Sequence, residues 1–158
     1  TRCQLYGGQA DWTLIGEVKN NPRMTIPVFG NGDIKDALRA KEVRDTYGVD
    51  GVMIGRATIG NPWIFREIKH YLETGQIMAP PTLKEKAEIC RRHIIESVKW
   101  KGDRAGVFEM RKHYAQYFKG IPHFKPYRME LVEAGSLDMV LEILDRIAME
   151  KDEALFAD

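Results

Sequence analysis

Two short glycine-bearing segments hold the residue types that can meet an anion. The first is Ile26-Pro27-Val28-Phe29-Gly30-Asn31-Gly32-Asp33, and the second is Val49-Asp50-Gly51-Val52-Met53-Ile54-Gly55-Arg56. In each, an apolar run suited to a buried strand ends on glycine just before a stretch with helical spacing. Glycine lets a backbone approach an anion closely, and a helix N-terminus offers unpaired N–H groups with positive partial charge. One such loop is explained as readily by a tight turn. Two in succession, with Arg56 beside the second, predict phosphate binding.

The elements that must position these loops alternate. Asp11 is placed to cap a helix carrying Leu14, Ile15 and Val18 on one face, and Asp33 to cap a second with Ile34, Ala37 and Leu38 spaced for burial, ended by Gly48. A third helix runs through Trp63, Ile64, Ile68 and Leu72. Short apolar runs without alternation, separated by helices, read as buried parallel strands. Two strands do not make a self-sufficient parallel sheet, so residues 1–78 are expected to be the C-terminal part of a larger (β/α)₈ barrel. In that fold the loops after the last two strands frequently build a phosphate site. An open sheet edge invites pairing, and a homodimer through the incomplete barrel is one arrangement open to the chain.

Residues 75–81 read as a linker, and residues 79–158 as an all-helical bundle, making the chain α/β plus all-α. Thr82-Leu83-Lys84-Glu85 is a capping-box sequence. The helix behind it places Leu83, Ala87, Cys90, Ile94 and Val98 on one face, and Gly102-Asp103 breaks it. A further helix turns Val107, Met110, Tyr114 and Tyr117 or Phe118 inward. Ser136 caps a last one through Leu137, Val140, Leu141, Leu144, Ile147 and Ala148.

A net charge of +1 conceals segregation: residues 82–128 hold 12 Lys and Arg against 5 Asp and Glu, and residues 129–158 hold 2 against 9. A basic block of this kind either meets a polyanion or faces the acidic tail. RNA recognition needs cations for phosphates and flat rings for unpaired bases. Aromatics are interleaved at Trp100, Phe108, Tyr114, Tyr117, Phe118, Phe124 and Tyr127. Arg104 and Arg111 are seven apart, as are Lys112 and Lys119, so each pair can share a helix face. The bundle reading competes, since Tyr114, Tyr117 and Phe118 also have core spacing. His113 has no second ligand at metal spacing, and no metal site is expected. The two cysteines, Cys3 and Cys90, make no disulfide framework and fit a reducing, cytoplasmic setting. No apolar run approaches the ~20 residues of a membrane span, and no signal peptide opens the chain. It begins at Thr1 rather than Met, so a natural start is expected upstream.

The motifs together resemble the tRNA-dihydrouridine synthases. Val28-Phe29-Gly30-Asn31-Gly32-Asp33-Ile34 and Gly51-Val52-Met53-Ile54-Gly55-Arg56-Ala57 are similar to that family's two FMN-phosphate loops, and Gly60-Asn61-Pro62-Trp63-Ile64-Phe65 to its next stretch. Thr1-Arg2-Cys3 resembles the tail of its sixth-strand motif. Arg111-Lys112-His113-Tyr114, then Tyr117-Phe118-Lys119-Gly120-Ile121-Pro122, resembles the hallmark of its C-terminal helical domain. The resemblance implies that Asn31, Gly32 and Asp33 line the phosphate and ribityl end of FMN, that Gly55 and Arg56 bind its phosphate, and that Arg111, Lys112 and Lys119 meet tRNA, with Arg104 added by its spacing from Arg111. It implies a flavin, reduced by NADPH, that delivers hydride to a flipped-out uracil. The cysteine, lysine and histidine that serve that chemistry are expected in an earlier part of the barrel. No catalytic residue is assigned here, and the chain alone is expected to be inactive. Two other readings stay open: another FMN-dependent barrel oxidoreductase acting on a small molecule, and a non-catalytic RNA-binding module.

Overall fold

A computed structural model of the chain describes residues 7–150, so Cys3 and the Thr1-Arg2-Cys3 opening lie outside the described residues. The elements run α1 (Thr13–Lys19), β1 (Phe29–Asn31), α2 (Ala37–Tyr47), β2 (Gly51–Met53), a 3₁₀ turn (Arg56–Thr58), α3 (Ile64–Thr74), α4 (Leu83–Lys101), α5 (Asp103–Tyr117), α6 (Lys125–Glu133) and α7 (Leu137–Met149). They fall into two compact units. The first runs to Thr58 and resumes over Pro62–Ala79; the second joins Ile59–Asn61 to the chain from Pro80 onward.

In the first unit β1 and β2 pair in parallel, with Phe29 opposite Gly51, Gly30 opposite Val52 and Asn31 opposite Met53. The ladder starts later than the apolar run predicts. Pro27 has no N–H to give, and the Val28 N–H goes instead to the Asp50 carboxylate at 2.7 Å. Lys19 holds the same carboxylate at 2.6 Å. These hydrogen bonds, Lys19 first and then the Val28 amide, keep the Asp50 carboxyl below its ordinary pKa. Trp12, Ile34, Ala40, Val43, Val49, Ile64 and Ile68 form the core.

Three expectations about this unit are corrected. Leu38 on α2, spaced for burial, is 52% exposed, since α2 turns Ala40 and Val43 inward instead. Leu14 and Val18 on α1 are exposed, while Trp12, one residue ahead of the helix, is 2% exposed. The ring buries more area than any residue on the helix itself, and it sets which side faces inward. α2 is capped by Asp36, whose carboxylate accepts the Arg39 N–H at 2.8 Å, and not by Asp33. Asp33 adopts a left-handed φ of 50°, whereas an N-cap residue normally takes extended geometry.

The second unit is helical throughout. Thr82 and Glu85 form the reciprocal capping box, and Ser136 caps α7 by accepting the Met139 N–H. α4 and α5 touch backbone to backbone: a Cβ on Gly106 would stand 2.6 Å from the Val98 Cα and 2.7 Å from its nitrogen. α6 follows Pro122 without a sequence signal strong enough to predict it. Its start is fixed by Phe124, 5% exposed and stacked on Phe118 with ring centroids 4.4 Å apart. Part of the basic block does face the acidic tail, because Arg91 on α4 is paired with Asp145 on α7. No helix among the described residues is long and apolar enough to cross a membrane.

His93 on α4 and His113 on α5 lie with ring centroids 5.0 Å apart, and His93 Nδ1 is 3.0 Å from the Tyr117 hydroxyl. The two chain positions are 20 apart in sequence, which is why the pairing is invisible there. No group of three or more potential ligands gathers at a point among the described residues. Burial lowers both imidazole pKa values; Lys101 adds to that at His93, and at His113 first His93 and then Lys112 and Lys101 add to it, while Glu109 opposes it only there.

The close approach at Gly106 predicts that Gly106→Val forces α4 and α5 apart and destabilises the unit by about 1–3 kcal/mol; a denaturant midpoint equal to wild type would refute the approach. The histidine pair predicts acid sensitivity. A depressed folded pKa means that the unfolded chain binds the proton first, so stability is full above the unfolded value near ~6.5 and declines as pH falls below it. His93→Gln with His113→Gln flattens that decline in thermal melts.

Candidate functional site

The strand register brings the two glycine loops out of the same end of the sheet. Asn31 and Met53 are opposite each other at the last rung, and the Asn31 side-chain amide donates to the Met53 carbonyl at 2.8 Å. Just beyond, the Arg56 guanidinium reaches Asp33 Oδ1 at 2.9 Å, while Asp33 Oδ2 accepts the Ala10 N–H at 2.7 Å. Asn31, Gly32, Asp33, Gly55 and Arg56 are thus gathered in one place. Gly55 closes the second loop by accepting both the N–H and the hydroxyl of Thr58, at 2.9 and 2.8 Å.

The glycines are not equivalent. At Gly30 a Cβ would lie 2.2 Å from the Trp12 ring, and the indole N–H donates to the Gly32 carbonyl at 2.9 Å. Gly30 is therefore required by packing within the protein. Nothing among the described residues requires Gly55: none of their atoms stands within 4 Å of where its Cβ would be, and its φ is not left-handed. An exposed backbone with clear space before it, flanked by a guanidinium whose side chain is 60% exposed, is a surface on which an anion can sit. The helices begin further along than the loop sequences predict. Asp36 fills the N-terminus of α2 with its own carboxylate, and a 3₁₀ turn precedes α3. Any anion here is met by loop backbone and Arg56.

Trp12 and Ala10 are the residues of this site that sequence reasoning misses. Trp12 lies 20 positions before the carbonyl it holds, and only the register of the sheet brings them together.

In the helical unit the four cations expected at RNA have different surroundings. Arg104, Lys112 and Lys119 are exposed and make no ion pair among the described residues. Arg111 is built into the fold. Its guanidinium lies 4.0 Å over the Phe108 ring and donates to the Ala134 carbonyl at 3.3 Å. Of the interleaved aromatics, Tyr114, Tyr117, Phe118 and Phe124 are buried, and burial pushes the Tyr117 hydroxyl up to about 12. Cys90 is wholly buried, and desolvation pushes its thiol up to about 12. A thiol so protonated does no nucleophilic or acid–base work.

Comparison with known proteins bears on most of the chain. A family model described as dihydrouridine synthase matches residues 1–152. The tRNA-dihydrouridine synthase B of Pseudomonas putida is 44% identical over 128 residues, which are 81% of this chain and 37% of that protein. A probable tRNA-dihydrouridine synthase of Mycobacterium leprae is 42% identical over 147 residues, 93% of this chain and 38% of that protein. That of Rickettsia conorii is 40% identical over 128 residues, 81% and 38% respectively. The chain spans well under half the length of these curated relatives. With the glycine loops and the helical unit both inside the matched residues, the chain belongs to the dihydrouridine synthase family.

Proposed function

We propose that this chain supplies two parts of a flavin-dependent tRNA-dihydrouridine synthase: the phosphate end of the FMN site and a helical unit that docks tRNA. The observation that carries the first part is the open backbone at Gly55, set beside Arg56 by the Arg56–Asp33 pair. An FMN phosphate fits these residues, since it needs donors on loop backbone and a cation, and both are gathered at one end of the strand pair. The bound flavin supplies a hydride, taken from NADPH, for the C5=C6 bond of a uridine. This chain's residues hold and orient the cofactor's phosphate and ribityl end, with Asn31 and Asp33 fixing the loop against β2 and Ala10. The acid that completes the reduction is not assigned to any residue here.

A (β/α)₈ barrel suits the sheet. Phe29 and Met53, on one face of the strand pair, are 67% and 63% exposed within this unit, while Gly30 on the other face packs under Trp12. Helices cover one side only, as they do in a barrel wall, whose inner face is filled by side chains of the remaining strands. Completion of that barrel by further strands, from the same polypeptide or a second copy, follows from the reading, as does a cytoplasmic setting where tRNA and NADPH are available.

For RNA, the exposed cations Arg104, Lys112 and Lys119 within a basic block support docking of the phosphate backbone. The readings as a small-molecule flavoenzyme or a scaffold-only RNA module find no comparable support in family membership.

In the complete enzyme, Gly55→Val is expected to abolish FMN retention with little change in melting temperature, because the added side chain enters open space. Flavin content equal to wild type would remove the phosphate assignment. Lys112→Ala with Lys119→Ala is expected to weaken tRNA binding and to reduce the slope of log affinity against log salt by roughly one per lysine. Arg111→Ala behaves differently: it removes a charged hydrogen bond and a ring contact, and lowers stability by about 1.5–3 kcal/mol. A variant that binds tRNA weakly at unchanged stability would instead place Arg111 at the RNA.

A further inference from the structure

The only tryptophan on the surface of the described residues stands where the basic helices turn. Trp100 is 85% exposed, one residue before the end of α4, whereas Trp12 and Trp63 are 2% and 7% exposed. The elbow that follows opens a cleft of about 510 Å³ lined by Lys101, Gly102, Asp103, Arg104, Ala105 and Phe108. Phe108 is itself 50% exposed and carries the Arg111 guanidinium on its ring at 4.0 Å. The other aromatics of the basic block, apart from partly covered Tyr127, are consumed by the bundle core. Trp100 on α4 is thus left in water at the end of the helix, close in sequence to an exposed arginine, Arg104, and to Lys101, which Glu109 holds in place; Phe108, on α5, is half exposed and carries Arg111.

We propose that this α4–α5 elbow is a stacking site for an unpaired nucleobase of RNA, with the Trp100 indole as its platform and Lys101 and Arg104 beside the adjoining phosphates. The inference rests on the tRNA-docking reading and goes beyond it by naming where a base, rather than the backbone, is held. Charge complementarity selects the occupant. At the elbow itself Lys101 is held by Glu109 and Asp103 lines the cleft, while Arg104, exposed and without an ion pair among the described residues, lies within a block of 12 Lys and Arg against 5 Asp and Glu, so the cation offered to a ligand here is Arg104. A nucleotide brings an anion and a π-face at once. Stacking on an aromatic ring accepts any base, and so the site adds affinity for unpaired segments without reading sequence.

The exposure pattern makes the test selective, because Trp100 dominates the solvent-accessible part of the intrinsic fluorescence. The full chain is titrated with single-stranded oligouridylate, with an RNA duplex of equal length and with unmodified tRNA. The single strand and tRNA are expected to quench the emission, and the duplex much less. Trp100→Ala should lose the quenching and bind the single strand about tenfold more weakly, with an unchanged melting temperature, while Trp100→Phe keeps most of the affinity. If tRNA binds in a salt-dependent manner but emission and the affinity of Trp100→Ala are unchanged, the stacking site is overturned and RNA docking stands. If neither tRNA nor the single strand binds, both fall. Equal quenching by the duplex, or emission that shifts with protein concentration before RNA is added, also overturns the stacking site, the latter in favour of self-association.

Discussion

The Trp12 indole lies under β1, against a backbone position that only glycine can occupy, and its N–H takes the carbonyl two residues further on. Much of the first unit follows from that placement. The ring stacks against Tyr47 at the far end of α2, with centroids 5.9 Å apart, so one side chain joins the strand, the helix after it and the loop between them. The carbonyl of Gly32 is spent on the indole, which turns the loop so that Asp33, at positive φ, reaches both Ala10 and Arg56. A buried aromatic thus fixes the geometry of an exposed loop. This is how a site can be held firmly while its ligand-facing backbone stays open to solvent.

At the opposite end of the strand pair a second tie does related work in charged chemistry. Asp50 collects Lys19 and the Val28 amide, closing the entry of the sheet as Asn31 and Met53 close its exit. Exposed ion pairs alone stabilise little. Their contribution here is register, because a slip of one residue would carry Gly30 away from the indole and place a side chain against it.

Much of the architecture was legible in the sequence where the signal is local. The capping box at Thr82, the stop at Gly48, the break at Gly102 and the cap at Ser136 all act within four residues, and each is found as expected. What escaped depends on which side chains meet in space rather than on any local signal. The buried side of α1 is set by Trp12 outside the helix, α6 is fixed by Phe124 against Phe118, and the His93–His113 pair joins two helices. Hydrophobic spacing also counts Leu14 and Val18 as core although they are exposed. Periodicity reports which face is apolar, not whether anything in the same unit covers it. At the candidate site, the glycine loops were visible as a pattern, but the difference between Gly30 and Gly55 was not. One glycine is demanded by a ring 18 positions away, ahead of the first helix, and the other by no atom of the described residues.

The three residues Ile59–Asn61 are grouped with the helical unit, although the residues on either side of them belong to the other. Gly60 sits there with φ +68, so close to α5 that a Cβ would fall 2.5 Å from the Gln116 carbonyl carbon. The helical unit is therefore discontinuous in sequence: its contiguous part begins at Pro80, yet a short tile of its surface is cut from a segment twenty residues earlier. Anyone expressing the bundle from residue 80 onward would leave the α5 backbone around Gln116 and Tyr117 bare. A domain boundary here is a property of the folded surface and not a point at which the gene can be cleanly divided.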